Sequence, residues 1–334
     1  MPPAGRLEGQ EGMEGEPRLA VTVSVVIPAF NAAQTIGATL DAIAGQSLMP
    51  QEVFVVDDGS SDNTRGVVEA RHGQLPGRLI YLSQPHWGTG AARNLGWQSA
   101  TGTIIAFTDA DTVPTANWLS EAVRPFAHPD VAGVEGRVLA LGTSAPTLYT
   151  HKVQNVSGGR FLTANVLYRR EVLEAVGGFR LKHREDSDLA FSVLDRGLQI
   201  VFAPEAVVYH PPRPESLRFY FRIAERRRYE GALFRDHPLT AGRYLHKLQP
   251  TEILVVLAEL AVLAGLVWFT AAPTILGLAL LVVALPRRVA ALLDGRQFAY
   301  REYLLAVGLS LALVPVEGYY HISGLVRPVP ALKP

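Results

Sequence analysis

Four short apolar runs, each followed by a polar turn and a segment with helical spacing, constrain the fold of this chain more than any other feature. The runs are VTVSVVIP (21–28), VFVV (53–56), RLIYLSQ (78–84) and IIAF (104–107). Runs rich in Val and Ile are typical of parallel strands that are covered on both faces. Between them apolar residues recur at helical spacing, as at Ile36, Leu40 and Ile43. The pattern therefore predicts an α/β domain, doubly wound around a mainly parallel sheet.

Three of the predicted strands end in polar or acidic sequence: PAFN, DDGSSD and DAD. Ligands of open α/β sheets bind at the carboxyl ends of the strands, so these three ends fall on one edge. An isolated D-x-D is usually only a polar turn that closes a strand, but this convergence favours a functional role. We expect a ligand-binding edge that contains Asp57, Asp58, Asp109 and Asp111.

The chemistry of clustered carboxylates indicates a cation at this edge. Carboxylates repel one another and any anionic ligand unless a positive charge lies between them. Oxygen-rich sites suit Mg²⁺ or Mn²⁺, which bridge to phosphate oxygens. The glycine-rich turn GTGAARN (88–94) adds backbone amides and Arg93, which complement a diphosphate. That turn lacks both the Walker pattern and a full G-x-G-x-x-G, so it is weak as a phosphate motif alone. An active site with only a pair of hydrolytic carboxylic acids would leave this glycine-rich turn unexplained.

A second acidic cluster, in HREDSDLAFSVLDRG, opens a predicted amphipathic helix and contains Glu185, Asp186 and Asp188. A carboxylate within hydrogen-bond reach of a hydroxyl acts as a general base, a gain of about 10²–10⁴-fold. The same acids also suit the first turn of a helix, where Asp188 would cap a helix that begins at Leu189.

Composition excludes several other classes. Lys plus Arg and Asp plus Glu are both 31, and this balance argues against a nucleic-acid partner. The chain has no cysteine, which excludes disulfides, thiolate metal sites and a cysteine nucleophile. Residues 1–20 are rich in Gly, Glu and Pro without apolar periodicity. They are predicted to be a disordered tail and not a signal peptide.

The composition changes near residue 253. Residues 253–285 contain one charge, Glu259, in 33 positions. A single helix of that length would measure about 50 Å, well beyond a hydrocarbon core of about 30 Å. Because Pro273 offers a break, two helices at 253–270 and 272–286 fit better, and a third apolar stretch covers 303–326. The arginine-rich loop between the last two indicates a cytoplasmic side. A hydrophobic bundle packed on the α/β domain and a monotopic anchor are the alternatives.

Five segments in this order carry a resemblance to a known family: VSVVIPAFNAAQTIGATLDAI, VVDDGSSDNT, GAARNLG, FTDADTVPTANWL and HREDSDLAFSVLDRG. Together they resemble the family-2 inverting glycosyltransferases of the A-type nucleotide-sugar-binding fold, over residues 22–210. The ordered set is specific, although each piece alone is not. The resemblance implies metal-dependent transfer of a sugar from a nucleoside-diphosphate sugar to an acceptor hydroxyl, with inversion at the anomeric carbon.

The resemblance also implies roles for single residues on the donor side. The base and ribose pocket would be lined by Pro28, Ala29, Phe30 and Asn31. Asp58 would accept a hydrogen bond from the base, and Asp57 would either join it or cap the turn. Arg93 would approach the diphosphate. Asp109 would lie near the ribose and a metal-bound water, and Asp111 would ligate Mg²⁺ or Mn²⁺.

Further residues carry two interpretations each. His210 would reach the metal or the diphosphate, or simply end a strand. Asn165 would contact the donor sugar or acceptor, or serve as a polar turn residue. Trp118 would stack on a sugar or be packed in the core. Asp186 would be the catalytic base, with Glu185 orienting the acceptor or base and Asp188 as the fallback base.

We therefore predict a membrane-anchored glycosyltransferase of cell-envelope or polysaccharide biosynthesis. The predicted parts are a tail (1–20), a catalytic domain (21–215), basic interfacial helices (216–250) and a multi-pass membrane region (251–334). The catalytic domain would face the cytoplasm at the inner (plasma) membrane, in contact with membrane lipids. The acceptor would be lipid-linked or a saccharide precursor. The segment IAERRRYEGAL (223–233) lacks the tryptophan pattern of processive synthases and better fits a basic interfacial helix.

Two other functions remain open at this point. A nucleotidyltransferase shares parallel sheets and metal-binding acids, but usually has a basic glycine-rich signature at the first strand end, where this chain has PAFN. A membrane scaffold that binds a nucleotide sugar without turning it over would not need the second acidic cluster.

Overall fold

The structure is a computed structural model that describes residues 21–75, 77–142, 150–214, 216–245, 250–267, 271–293 and 300–332. The predicted tail at 1–20 lies outside the described residues.

The first half of the domain forms the predicted parallel sheet. Its strands are β1 (Val23–Ala29), β2 (Glu52–Asp57), β3 (Arg78–Ser83) and β4 (Ile104–Phe107). Every residue of β1, β2 and β4 is buried, as their apolar sequences predict. β1 lies between β2 and β4 and runs parallel to both, and β3 extends the sheet beyond β2. Since Ala29 pairs with Asp57 at the end of both strands, their polar exits meet at one edge.

The second half of the sheet is mixed. Its strands are β5 (Val113–Pro114), β6 (Val131–Ala140), β8 (Val166–Arg169) and β9 (Gln199–His210). The order is β3-β2-β1-β4-β8-β6-β9-β5, with β8 antiparallel to both of its neighbours. Residues 199–210 form one continuous strand. A register shift opposite Gly136 and Arg137 bends it. A separate pair joins β7 (Thr150–His151) and β10 (Arg213–Pro214).

Helices cover both faces of the sheet. They are α1 (Ile36–Ala44), α2 (Thr64–Glu69), α3 (Thr89–Ser99), α4 (Trp118–Val123), α5 (Arg170–Val176) and α6 (Glu185–Leu194). Successive side chains of a strand point to opposite faces. Accordingly, Val25 and Ile27 pack into the core beneath α1 and α4, whereas Val26 packs into the core beneath α3, α5 and α6. The predicted doubly wound architecture is confirmed.

Five helices follow the sheet: α7 (Leu217–Asp236), α8 (Pro238–Tyr244), α9 (Pro250–Val267), α10 (Ala271–Leu293) and α11 (Tyr300–Val326). Val255 packs against Ala284, and Gly277 lies against Ala258 and Val262. α9 and α10 therefore run antiparallel, as expected. Within the described ranges one helical stretch, Leu304–Val326, is long and apolar enough to cross a membrane, with 39% of its apolar window buried. Ala272–Arg287 is a shorter apolar stretch. The multi-pass arrangement stays a prediction.

The chain returns to the α/β domain after α11. Ala331 pairs with Leu181 in an isolated antiparallel bridge, and the Leu332 amide donates to the Arg180 carbonyl oxygen at 2.9 Å. The Leu332 side chain packs against the core beneath α3 and α6. This return brings residues 328–332 beside the segment that leads into α6.

Candidate active site

The acidic turn after β4 is closed by its threonines. Thr112 Oγ1 donates to the Asp109 carbonyl oxygen at 2.8 Å, and Thr108 Oγ1 donates to the Ala164 carbonyl oxygen at 2.9 Å. Both threonines are fully buried. Because these hydroxyl groups hold the turn, the carboxylates of Asp109 and Asp111 are free for other contacts. The interpretation of this D-x-D as a turn that merely closes a strand is therefore not favoured.

The end of β9 brings a histidine to the two aspartates. His210 is 1% exposed, and its Nδ1 lies 2.9 Å from the Pro211 carbonyl oxygen. A carbonyl oxygen only accepts, so Nδ1 donates in this hydrogen bond and Nε2 is the ring nitrogen that faces the two aspartates. Nε2 lies 3.5 Å from Asp111 Oδ1 and 4.0 Å from Asp109 Oδ2. One ligand atom from each of the three residues lies within 4.8 Å of the others.

This cluster fits a divalent cation. The Asp111 Oδ1 atom is buried and has no hydrogen-bond partner among the described residues. A buried acceptor without a partner is costly, and a metal ion would satisfy it. Two carboxylates and one imidazole nitrogen are ligands that a cation such as Mn²⁺ accepts. The strand-ending interpretation of His210 accounts for its position on β9 but not for the direction of Nε2.

An arginine that the sequence analysis missed also contacts the cluster. Arg213, on β10, donates from Nε and one terminal nitrogen to Asp111 Oδ2 at 3.0 and 2.6 Å. The same terminal nitrogen lies 3.3 Å from His210 Nε2. The guanidinium group thus supplies positive charge next to the candidate metal ligands. The sequence signal was weak, a single arginine three residues after His210 in an exposed turn.

Arg93 joins the acidic turn to the second acidic cluster. It lies on α3, is 3% exposed, and donates to Asp109 Oδ1 at 2.9 Å and to Glu185 Oε1 at 3.1 Å. Its Nε is buried and has no partner within the described ranges. Arg93 is therefore part of the site and not a charge on the surface of a helix. Its predicted contact with a diphosphate stays a prediction.

The second acidic cluster forms the first turn of α6, which begins at Glu185. Burial raises the pKa of the Glu185 carboxyl to about 7; the nearby Arg93 guanidinium opposes this shift and the Asp186 charge adds to it. Asp186 Oδ1 accepts from the Ser187 amide at 2.7 Å. Among the described residues only Ser187 donates to this carboxylate. Asp186 is thus the acid of the cluster that is not held by an arginine.

The geometry contradicts both predicted roles of Asp188. The helix begins three residues before Asp188, so this residue cannot cap a helix that starts at Leu189. Its carboxylate is 2% exposed and accepts from Arg180 through both oxygens, at 3.0 and 2.8 Å. His237 Nε2 lies 3.2 Å from Asp188 Oδ1. Asp188 is therefore held in a structural ion-pair network and is not placed to serve as the fallback base.

The aspartates of DDGSSD are occupied by their own loops. Asp57 Oδ1 accepts from the Ser60 amide at 2.7 Å, so the turn-capping interpretation fits it. Asp58 accepts from the Gln84 side-chain amide at 2.7 Å, from the Trp87 amide at 2.9 Å and from the Gly88 amide. It thereby holds the loop that leads into α3. The predicted contact between Asp58 and a nucleotide base would have to compete with these bonds.

Of the four residues predicted to line the base pocket, two are buried in the sheet and two are exposed at its edge. Pro28 and Ala29 lie within β1 and are buried. Phe30 is 47% exposed and stacks on His86, with ring centroids 4.2 Å apart. Asn31 adopts a left-handed backbone with φ of 50°, and its Oδ1 accepts from the Ser61 amide. Of these four residues, therefore, Phe30 and Asn31 are the two whose side chains are accessible to a ligand at this edge.

Asn165 fits the turn interpretation, because its backbone amide donates to the Leu162 carbonyl oxygen at 2.9 Å just before β8. Its side chain is fully buried, donates to the carbonyl oxygens of Ala206 and Arg137 at 2.8 and 3.0 Å, and accepts from Trp118 Nε1 at 2.7 Å. The side chain is therefore not offered to a ligand, because its hydrogen bonds join β6, β9 and α4 in the core. The indole of Trp118 is likewise completely buried, so Trp118 is packed in the core and does not stack on a sugar.

A buried carboxylate that the sequence analysis did not single out organises the loop before β8. Glu135, on β6, is 3% exposed and accepts from the Asn155 side chain and the Phe161 amide, both at 2.9 Å, and from the Gly159 amide. Its sequence signal was a single charge inside an apolar strand, which requires partners when buried.

The sequence also matches known proteins. The model of glycosyl transferase family 2 matches residues 24–188, from β1 into the first turn of α6. The chain is 31% identical over 218 residues to glycosyltransferase AglE of Haloferax volcanii, an alignment that covers 61% of this chain and 72% of that protein. The chain belongs to glycosyl transferase family 2. This membership confirms the family that the five ordered segments resemble. It also confirms the predicted enzyme class, a glycosyltransferase.

Other members of family 2 are similar over shorter stretches. An uncharacterized glycosyltransferase of Nostoc is 31% identical over 46% of this chain, and the match covers 52% of that protein. The chain thus spans about half the length of this relative. The UDP-Glc:alpha-D-GlcNAc-diphosphoundecaprenol beta-1,3-glucosyltransferase WfgD of Escherichia coli is 29% identical over 52% of this chain and 69% of its own length.

Solved structures share the fold. The mannosyltransferase PcManGT of Pyrobaculum calidifontis, in complex with GDP-Man and Mn²⁺, superposes with a TM-score of 0.61 and 23% identity, covering 94% of this chain and 91% of its own. TarS of S. aureus, residues 1–349 with UDP-GlcNAc, has a TM-score of 0.51 and 18% identity, with 94% and 99% covered. At these identities the likeness shows the fold alone.

Proposed function

We propose that this protein is an inverting, metal-dependent glycosyltransferase that moves a sugar from a nucleoside-diphosphate sugar to an acceptor hydroxyl. The observation that carries the proposal is the cluster of Asp109, Asp111 and His210, which Arg93 connects to the acids of α6. The cluster would bind the metal ion that holds a diphosphate, and the adjacent acids of α6 would serve an acceptor hydroxyl. The fold shared with a mannosyltransferase that binds GDP-Man and Mn²⁺ supports the same assignment.

Asp109, Asp111 and His210 would hold the Mg²⁺ or Mn²⁺ ion. When bound, the ion supplies positive charge for the leaving diphosphate, which is the larger electrostatic contribution in such a transfer. Arg93 orients Asp109 and adds charge to the same side of the site. Phe30 and Asn31, at the end of β1, are placed to contact the nucleoside.

Asp186 would be the general base. It is partly exposed in the first turn of α6, and only the neighbouring Ser187 donates to it among the described residues. A carboxylate in this state can take the proton of an acceptor hydroxyl as that oxygen attacks the anomeric carbon. Glu185 is held by Arg93 and would position the site. A single displacement with one base leads to inversion.

The acceptor would be lipid-linked or a saccharide precursor of the cell envelope. The Escherichia coli relative is named for a diphosphoundecaprenol substrate, which supports a lipid-linked acceptor here by analogy. The apolar stretch Leu304–Val326 supports attachment to a membrane, where such an acceptor resides. The test of attachment is alkaline carbonate extraction of cell membranes: an attached protein stays in the pellet, and complete release would contradict the proposal.

The test of function is transfer and donor hydrolysis by purified protein in detergent, over a panel of nucleotide sugars. Each donor is offered with Mn²⁺, with Mg²⁺ and with a chelator, and membrane extract supplies acceptors. We expect turnover of one donor with metal only. Asp111→Asn removes a ligand and is expected to abolish metal-dependent turnover. Asp186→Asn is expected to lower kcat by about 10²–10⁴-fold while donor binding persists.

Two controls make the result specific. Asp130→Asn changes an exposed aspartate outside the site, and its activity should equal that of the wild type. Full activity of Asp186→Asn would show that the base is assigned wrongly. Donor binding without turnover, under every acceptor condition, would favour the scaffold function instead.

A further inference from the structure

A cavity of about 270 Å³ lies between the segment that precedes α6 and the first half of α7. Its lining contains four cationic side chains, Lys182, Arg222, Arg226 and Arg228, and one carboxylate, Glu225. Arg228 is paired with Glu225 at 3.1 Å. The cavity is open to solvent, and Lys182, Arg222 and Arg226 are exposed. Because like charges repel, this excess of cations favours the binding of an anion among them.

Two residues of the lining carry buried polar atoms without partners. The Arg228 Nε atom and the Tyr229 hydroxyl make no hydrogen bond within the described ranges, and Tyr229 is fully buried. Buried donors are almost always paired in native proteins, so two orphans in one wall indicate a missing acceptor. An acceptor with several oxygens would satisfy both groups.

The electrostatic effect of the cavity is visible at a neighbouring histidine. Burial, together with the positive charges of Arg226, Lys182 and Arg228, lowers the pKa of His183 to about 4. The His183 ring lies edge-on to the Tyr229 ring, with centroids 5.2 Å apart. His183 therefore stays neutral near pH 7, and the net positive charge of the lining comes from its lysine and arginine side chains.

The position of the cavity relates it to the acceptor. Lys182 lies four residues before Asp186, on the segment that enters α6, so the cavity is close to the proposed base along the chain. Pro330, in the returning segment after α11, forms part of the lining. Arg228 also lines a second cavity of about 260 Å³, which α11 walls with Tyr320 and Ser323. The two cavities share Arg228 and extend from the segment before α6 to α11, the helix that we assign to the membrane.

We propose that this basic cavity binds the phosphate group of a lipid-linked acceptor and holds it beside Asp186. The proposal rests on the glycosyltransferase function proposed above and adds the acceptor's anionic group to it. Arginine forks and a tyrosine hydroxyl match the donors that phosphate oxygens accept from. The group would come from the acceptor itself or from an anionic phospholipid of the bilayer, and the experiment separates these two sources.

The experiment measures equilibrium binding to the full chain in a non-ionic detergent, with chelator present to keep the metal site empty. The probes are citronellyl phosphate, its uncharged alcohol citronellol, and dioctanoyl phosphatidylglycerol. We expect the wild type to bind the phosphate at least about tenfold more tightly than the alcohol, since the phosphate accepts charge-assisted hydrogen bonds that the alcohol cannot accept. We also expect it to prefer this phosphate to phosphatidylglycerol.

Variants locate the binding. Lys182→Gln with Arg226→Gln removes two cations and should weaken phosphate binding by about tenfold or more. Tyr229→Phe removes only the orphan hydroxyl and should weaken it several-fold. Arg218→Gln is the matched control, because Arg218 is an exposed arginine on α7 outside both cavities, and its affinity should equal that of the wild type.

The outcomes are distinct. Equal binding of phosphate and alcohol, or unchanged affinity in the Lys182 and Arg226 double variant, would overturn the proposal. Equal or tighter binding of phosphatidylglycerol would assign the cavity to bulk lipid and overturn the acceptor role. Donor binding with Mn²⁺ is measured on the same preparation. Its absence would contradict the glycosyltransferase function while leaving the result for the cavity intact.

Discussion

Single charged side chains decide the state of this site before any ligand binds. Asp111 has one oxygen bonded to Arg213 and the other buried without a partner among the described residues. Arg213 therefore neutralises part of the charge that a metal ion would neutralise. A guanidinium group and a divalent cation compete for the same carboxylate, because both are attracted to it and repel each other.

We expect Arg213→Gln to bind Mn²⁺ several-fold more tightly than the wild type in the absence of a nucleotide. The effect is modest because Arg213 is about half exposed, and exposed ion pairs are weak. Mn²⁺ titration followed by electron paramagnetic resonance measures it. Arg213→Lys keeps the charge and should resemble the wild type. Weaker binding in Arg213→Gln would show that the arginine supports the metal site.

The buried amide of Asn165 has a stabilising role that can be measured separately from activity. Asn165→Ala leaves Trp118 Nε1 and two carbonyl oxygens without their partner. Each buried polar group left unpaired costs about 1–3 kcal/mol, so we expect a loss of about 2 kcal/mol or more in the free energy of unfolding. Thermal unfolding measures it. Asn117→Ala, at an exposed position on the same side of the fold, is the control. Unchanged Tm together with a raised donor KM would restore Asn165 as a ligand contact.

Among the helices, the contact of α7 with α11 depends on two glycines that let the backbones touch. A Cβ atom at Gly324 would lie 1.8 Å from the Arg228 carbonyl oxygen, and one at Gly231 would lie 2.1 Å from the His321 carbonyl oxygen. Neither neighbour is a flexible side chain that could move aside. Small residues at such crossings are typical of closely packed helices.

We therefore expect Gly324→Ala to separate α7 from α11 and to lower the thermal stability of the protein in detergent. Gly318→Ala, on the same helix, would place its Cβ atom in open space. That variant should be neutral or slightly stabilising, since alanine favours a helix over glycine by about 1 kcal/mol. Thermal unfolding of the two variants side by side measures the difference. Equal Tm values would contradict the close crossing.

At the scale of the whole molecule, several contacts of the described residues connect the α/β domain with the C-terminal helices, and three of them lie around α6. Arg184 pairs with Glu230 of α7 at 2.6 Å. The Leu332 amide donates a hydrogen bond to the Arg180 carbonyl oxygen. His237, between α7 and α8, lies between Asp195 and Asp188 of the α6 region at 2.6 and 3.2 Å. The contacts converge on the residues around the proposed base, so the position of α6 depends on the helices that follow the sheet.

His237 makes this connection dependent on pH. Burial alone would lower the pKa of its imidazole, but the two carboxylates outweigh burial and raise the pKa. A group whose pKa is raised by folding stabilises the folded protein fully below its unfolded pKa of about 6.5 and loses that contribution as pH rises through the folded value. We expect Tm to fall over this interval above pH 6.5.

His237→Gln should flatten that part of the pH profile of Tm, whereas His128→Gln, at an exposed position, should leave it unchanged. Thermal unfolding at half-unit steps of pH measures both. A wild-type profile that rises over the same interval would mean that His237 is neutral in the folded protein.

Local patterns predicted the layered fold and the edge where the site lies. Apolar runs and helical spacing report burial on one or two faces, and burial decides which residues become strands and helices. The ends of β1, β2 and β4 therefore met at one edge as expected, and Asp109 and Asp111 lie there. The start of α6 was predicted four residues too late because its first turn is acidic and carries no apolar periodicity.

Partners that are distant in sequence were decided by the tertiary structure. Asp111 and Arg213 are 102 residues apart, and Trp118 and Asn165 are 47 apart. Such contacts depend on strand order and register in the mixed half of the sheet, which no local periodicity encodes. The structural role of Asp188 also depends on a distant partner, His237. The basic cavity likewise depends on tertiary structure, because it forms where α7, the segment before α6 and the returning chain meet. Periodicity specifies which face of an element is buried, whereas only packing specifies what lies against it.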